Sequence, residues 1–298
     1  MEGDASRRDT LIRMTAGDGR IRAVAALTTQ TVDEARARHQ TSPIATAALG
    51  KALTGGLLLS AALMKDGGRL TVRVLGQGPL GGIIVDAGFD GSVRGYVARP
   101  DLQLPVTAQG TLDIGGAVGR EGFLYVTHDS GLGHPYTGVV ELVSGELGED
   151  FTHYLATSEQ IPAAVSLGIY VEADGRVSSA GGLLVQLLPG AGDEIAWRLE
   201  QNIRALPGFT TLARKWGTPE EIARAALTGF QSEILSSQAI AFSCQCSSER
   251  VLTAIASLGQ KEIRAMLDED GKAEVRCHFC NEEYVVSGAQ LAEMLEAS

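Results

Sequence analysis

The chain has 298 residues, 44% of them hydrophobic and 20% charged, with a formal net charge of −11. That composition is ordinary for a globular protein with room for a substantial core plus a smaller second unit, and it excludes disorder as the default. The acidic balance argues against nucleic acid as a partner, because phosphate binding draws on clustered Lys and Arg.

The start, MEGDASRRDT, is polar and charged, and no run of eighteen or more apolar residues follows it. Neither a signal peptide nor a membrane span is expected, and the expected compartment is the cytosol. Residues 10–16 and 20–29 are strand-like and meet at Gly17-Asp18-Gly19, a hairpin turn in which glycine supplies positive φ. A helix follows over 31–40. Ser42-Pro43 then gives an N-cap and a proline at the first helical position, opening an Ala, Leu, Gly and Ile run over 44–65 that should be buried on most sides.

Strands are expected next at 69–75, 82–87 and 92–98, then a glycine-punctuated meander at 110–114, 122–128, 137–143, 151–157, 165–172 and 181–188. Residues 1–190 therefore read as one α+β domain, β-rich around a long buried helix. From Asp193 the period becomes helical, with helices at 193–206, 209–216 and 219–227, the last opened by the capping-box sequence Thr218-Pro219-Glu220-Glu221. The stretch FQSEILSSQAIAFS that follows has the polarity of a tether. Residues 191–243 read as a helical linker, and residues 244–298 as a small carboxy-terminal module with helices at 248–258, 260–267 and 289–296 and strands at 272–276 and 283–287.

Two motif readings fail on context. Gly76-Gln77-Gly78-Pro79-Leu80-Gly81 matches GxGxxG, but the β-rich sequence after it offers no helix N-terminus to receive a pyrophosphate, so it reads as a turn. The five histidines, His39, His128, His134, His153 and His278, show no paired ligand spacing, and no nucleophile motif or phosphate loop is present. Nothing signals an enzyme.

The chemistry lies in the cysteines. All four are in the last fifth of the chain, as Cys244-Gln245-Cys246 and Cys277-His278-Phe279-Cys280. Thiolates are soft ligands, and four of them complete the tetrahedral shell of a structural Zn²⁺ with no position left for water or substrate. CxxC is a common knuckle spacing. In CxC the two side chains point the same way from an extended segment and so can converge on one ion. The same spacing places those sulfurs where they could instead bond to each other in a small strained ring.

A redox CxxC would sit at a helix N-terminus, and haem attachment would need histidine after Cys280, where Asn281 stands. The module carries five basic against ten acidic residues, a net of −5, and about fifty-five residues with so little apolar content call for a staple. One Zn²⁺ per chain, held by Cys244, Cys246, Cys277 and Cys280, is the reading.

The segments FSCQCSSER (242–250), LDEDG ending at Gly271 and VRCHFCNEEY ending at Tyr284 resemble those of the Hsp33 family of redox-regulated bacterial chaperones. GQGPLGG, the hairpin from Asp90-Gly91 to Gly95, and AGGLLVQLLPGA (180–191) extend the resemblance over essentially the full length, with no departure at the four metal positions. The resemblance implies an ATP-independent holdase for unfolding client proteins, zinc-bound and inactive when reduced. It implies activation by hypochlorous acid, or by peroxide with heat, through disulfides joining Cys244 to Cys246 and Cys277 to Cys280 with release of zinc. It also implies a homodimer in the active form and a monomer in the reduced form. A zinc ribbon that recruits a nucleic acid or protein, and a zinc enzyme, are the competing readings; charge opposes the nucleic-acid version and the closed thiolate shell opposes the enzyme.

Overall fold

Residues 10–16 and 21–27 are two apolar-rich segments about a glycine-rich centre. In the computed structural model of the chain they form the hairpin β1 (Thr10–Ala16) and β2 (Ile21–Leu27), with Gly17, Asp18 and Gly19 all at positive φ. The structure describes residues 8–64, 67–131, 133–215 and 217–296. The polar start up to residue 7 and the expected helix ends at Lys65 and Trp216 lie outside the described residues. The chain divides into two compact units, Met1–Ser243 and Cys244–Ser298.

After the hairpin the first unit continues with α1 (Thr29–His39), α2 (Pro43–Leu63), β3 (Arg69–Gly76), β4 (Ile83–Gly88), β5 (Ser92–Val97) and the short α3 (Ile114–Val118). Then come β6 (Gly122–Asp129), β7 (Tyr136–Glu141), α4 (Gly148–Thr157), β8 (Ala163–Val171) and β9 (Val177–Leu187). Three helices, α5 (Asp193–Ala205), α6 (Phe209–Lys215) and α7 (Pro219–Ala226), precede β10 (Ser232–Ala239) and the two-residue β11 (Ala241–Phe242). One sheet has the order β10-β1-β2-β9-β8 and is antiparallel throughout. The other has the order β11-β5-β4-β3-β6-β7 and is antiparallel except where β11 lies parallel to β5.

Helix α2 is the common wall of both sheets. Ser42 caps it by accepting from the Ala45 N–H at 3.3 Å, and Pro43 occupies the first turn, where a missing N–H costs nothing. Eighteen of its 21 residues are buried. It packs against β2, β8 and β9 of one sheet and β3, β4 and β5 of the other. Its best 18-residue window has a mean hydropathy of 1.4, enough by length and composition to cross a membrane, yet 94% of that window is buried within the protein. Such a helix is apolar on all sides because it has sheets on both, not because it meets lipid.

The carboxy end of α2 has no basic residue in its own last turn. Two arginines from the β1–β2 hairpin supply the charge that its free carbonyls favour. Arg13 Nε donates to the Ala61 carbonyl at 3.0 Å and Arg22 Nη1 to the Ala62 carbonyl at 3.1 Å. Arg13 also donates to Gln238 Oε1 of β10 at 2.9 Å and lies 4.8 Å from the centre of the Phe89 ring, so one side chain ties the helix end to both sheets.

Three expected elements differ from those observed. The expected strand at 110–114 is a turn closed by Thr107 N–H to Thr111 O and Gly110 N–H to Thr107 O, after which the Asp113 carboxylate accepts from Gly116 N–H and starts α3. The expected strand at 151–157 is part of α4. Its large residues suit a strand, but Phe151, Tyr154 and Leu155 recur at helical spacing and are all fully buried, and Asp150 accepts from Leu147 N–H at the helix start. The expected tether at 230–243 contains β10, which pairs with β1 from Thr10↔Ala239 to Ala16↔Ser232. That strand lies at a sheet edge with most side chains partly or fully exposed, so its sequence carries no apolar alternation and its order comes from backbone pairing. The Gly76–Gly81 segment is the turn expected, leading from β3 directly to β4.

Two substitutions test this packing. Replacing Arg13 with Met keeps the side-chain length but removes the charged hydrogen bonds at the end of α2, and is expected to lower unfolding free energy in urea by about 2 kcal/mol. Gly55 sits where a Cβ would lie 2.1 Å from Phe151 Cε2. Helix propensity alone would make Gly55→Ala stabilising by about 1 kcal/mol. Overpacking in a closed core costs about 1–3 kcal/mol, so a lowered melting temperature is expected, and a raised one would mean that α4 gives way freely.

Candidate metal centre

The second unit is built from α8 (Ser248–Ala256), α9 (Gln260–Glu269), the hairpin β12 (Lys272–Arg276) and β13 (Glu283–Ser287), and α10 (Gly288–Glu296). Val251 and Ile255 of α8, Ile263 of α9, Ala273, Val286 and Leu291 form its buried core. Six residues, one of them an alanine, are a small core for the 53 described residues from 244 to 296.

Both cysteine pairs are held by local backbone geometry. Cys277 to Cys280 occupy the turn of the β12–β13 hairpin, which Cys277 N–H closes against the Glu282 carbonyl at 2.9 Å and Asn281 N–H against the Cys277 carbonyl at 2.7 Å. Asn281 takes a left-handed φ of 61° there, a conformation its short polar side chain tolerates. Arg276 and Glu283 pair across the base of the turn at 2.8 Å. Cys244-Gln245-Cys246 has no regular structure and runs into Ser247, whose hydroxyl caps α8 by accepting from Arg250 N–H. Arg250 reaches back from that helix and donates to the Gln245 carbonyl at 2.8 Å, which fixes the residue between the two sulfurs.

All four sulfurs then lie within 4.8 Å of one another. Cys244 Sγ is 3.7 Å from Cys277 Sγ, and Cys246 Sγ is 3.2 Å from Cys280 Sγ. A tetrahedron of thiolates about 2.3 Å from a Zn²⁺ has edges of about 3.8 Å, so this donor set fits one ion of that kind. Both of these separations join the CxC half to the CxxC half, which is how a shared centre arranges ligands from two segments. The sulfurs are unbonded thiols, and Cys280 is 2% exposed. Burial pushes the Cys277 and Cys280 thiols up from their ordinary range. A cation reverses that preference, since a coordinating thiol is deprotonated outright. His278 lies in the knuckle turn and is not one of the clustered ligands.

One contact was not read from the sequence. Tyr284 of β13 donates its hydroxyl to Cys246 Sγ at 3.1 Å, the kind of outer hydrogen bond that orients a metal ligand. Tyr284 stands four residues after Cys280, but only the β12–β13 hairpin turns it toward the other cysteine pair. Arg250 is similarly plain in the SSER sequence, while its task of holding Gln245 depends on α8 starting at Ser248.

The chain was compared with known proteins. A sequence model of the family described as Hsp33 protein matches residues 9–287. The 33 kDa chaperonin of Desulforamulus reducens is 50% identical over 289 residues, covering 97% of this chain and 98% of the relative. That of Synechocystis sp. is 49% identical over 290 residues, covering 96% of each. The crystal structure of the 33 kDa chaperonin (heat shock protein 33 homolog) from Thermotoga maritima superposes with a TM-score of 0.90 at 35% identity, covering 98% of this chain and 99% of that one. Full-length similarity at these identities, in relatives named for a chaperone and not for an enzyme, together with the four-cysteine cluster, places this chain in the Hsp33 family of chaperones.

Proposed function

We propose that this protein is a redox-regulated, ATP-independent holdase, resting with one Zn²⁺ on Cys244, Cys246, Cys277 and Cys280 and activated when oxidation removes those ligands. The observation that carries the reading is the convergence of four sulfurs within 4.8 Å in a unit whose apolar cluster, among the described residues, has six buried members. In so small a unit, metal-binding free energy on the order of 10 kcal/mol is also folding free energy.

In this reading the bound ion supplies one thing, a charged centre that holds the CxC segment against the β12–β13 turn. The protein does the rest. Oxidation joins Cys244 to Cys246 and Cys277 to Cys280. Each disulfide forms as two thiolates give two electrons to one hypochlorous acid, which leaves as chloride and hydroxide. The CxC ring is strained and so comparatively easy to reduce again. With no ligands left, residues 244–298 lose their staple and unfold. We propose further that residues 191–243 act as a linker that loosens in turn, and that the newly exposed apolar surface holds unfolding client proteins and favours a homodimer. In the reduced state the protein is a monomer, and its setting is the cytoplasm, where thiols are kept reduced until oxidative stress.

Two measurements test this. Treating the zinc-loaded protein with hypochlorous acid is expected to release one zinc per chain, consume four thiols and confer suppression of aggregation on a heat-denatured test protein. Zinc that stays bound, or suppression that is equal before and after, would sink the switch. Separately, Cys277→Ser is expected to weaken zinc retention and to leave residues 244–298 open to limited proteolysis without oxidant; unchanged cleavage would count against metal-dependent folding.

A further inference from the structure

Among the described residues, three of the four sheet edges in the first unit carry a feature that hinders strand addition. On the β10 edge the register slips between Arg13 and Met14, leaving Leu235 as an extra residue that twists the strand. On the β8 edge the Thr152 hydroxyl accepts from the outward N–H of Val165 at 3.0 Å. The β5 edge is covered by β11, with Ala241 N–H on the Gly91 carbonyl and Ser243 N–H on the Val93 carbonyl.

Among the described residues the β7 strand itself has none of these devices; only past its end is an outward N–H taken, that of Val143 by Asp150 Oδ1 at 2.7 Å. Leu142 N–H bonds to the Gly122 carbonyl, so in the antiparallel pairing of β7 with β6 the even-numbered residues face β6. Thr137, Val139 and Glu141 therefore turn their N–H and C=O groups away from the sheet, and no partner for those backbone groups exists among the described residues. Their side chains lie on the exposed face. Among the described residues eleven large apolar side chains are exposed, and Phe123, Tyr136, Val139 and Val143 on this hairpin and its exit are four of them. At the same end, Glu141 and Glu121 are exposed carboxylates with no ion-pair partner among the described residues.

We propose that the β7 edge takes an extended, apolar and basic segment of unfolded polypeptide as an added strand. Backbone groups of Thr137, Val139 and Glu141 would supply the hydrogen bonds, the apolar face beside them would receive alternate side chains, and the two free carboxylates would favour Lys or Arg. The proposal rests on the holdase reading for the nature of the occupant; the open edge itself does not depend on the redox switch.

The probe is a fluorescein-labelled decapeptide of alternating valine and lysine, titrated into the full-length protein. Val139→Pro removes one outward N–H without touching the ladder to β6, and is expected to weaken binding at least tenfold. Val139→Thr keeps that N–H and is expected to stay within threefold of the parent protein. Glu141→Lys is expected to weaken this peptide and to favour one in which glutamate replaces lysine. Hydrogen exchange on the unsubstituted protein removes any dependence on how well the proline variant folds: the amides of Thr137, Val139 and Glu141 are expected to gain protection when peptide is bound. Equal binding by the proline variant, equal losses in the Pro and Thr variants, or unprotected amides would each overturn the proposal. Zinc release on oxidation is followed in the same samples. If zinc is retained while the three amides are protected, the switch falls and the edge stands; if zinc is released and the amides stay open, the reverse holds.

Discussion

Under the proposed function, everything in residues 244–296 depends on four sulfurs being brought to one point. Neither half of the ligand set is adjacent to the other in sequence, and the core beneath them is too slight to hold the two segments together by apolar burial alone. The chain therefore spends its local structure on presentation. A hairpin turn with Asn281 in a left-handed conformation carries one pair, and an extended segment pinned by Arg250 carries the other. The burial that favours neutral thiols in the absence of a cation is the same burial that strengthens attraction to a cation at their centre.

The first unit solves a different problem. Its long helix is so apolar that it needs cover on nearly every side, and two sheets supply that cover. The arrangement needs close approach, which Gly55 permits by leaving room for the Phe151 ring. It also needs charge at the helix end, which two strand arginines supply because the buried helix has no basic residue of its own there. Unit one is thus held by packing, whereas under the proposed function unit two is held by its donor set. Under the proposed function that difference is what allows the second unit to unfold, and residues 191–243 to loosen after it, while the rest of the first unit stays folded.

Sequence legibility followed the same division. β3 and β5 were readable because each alternates against a buried face, and β1, β2 and β4 because short apolar runs are bounded by glycine turns. Segment 151–157 was misread because bulky residues suggested a strand, while its helical spacing was short and its helix start at Leu147 has a positive φ that composition does not announce. Strand β10 was misread because an edge strand with polar, exposed side chains owes its order to pairing with β1, more than two hundred residues away in sequence.

The sequence by itself determined the candidate ligand set, since four cysteines in CxC and CxxC spacing leave no other thiol to choose from, and it determined the buried helix, since nothing but protein or lipid could cover residues 44–63. Tertiary structure decided the rest. It placed Tyr284 on Cys246, it drew Arg13 to the end of α2, and, among the described residues of the first unit, it left the β7 strand without a neighbour on its outer side. Each of these is a contact between segments far apart in the chain or between neighbouring strands whose order is not local, and local propensity carries no record of which distant partner a side chain or backbone group will meet.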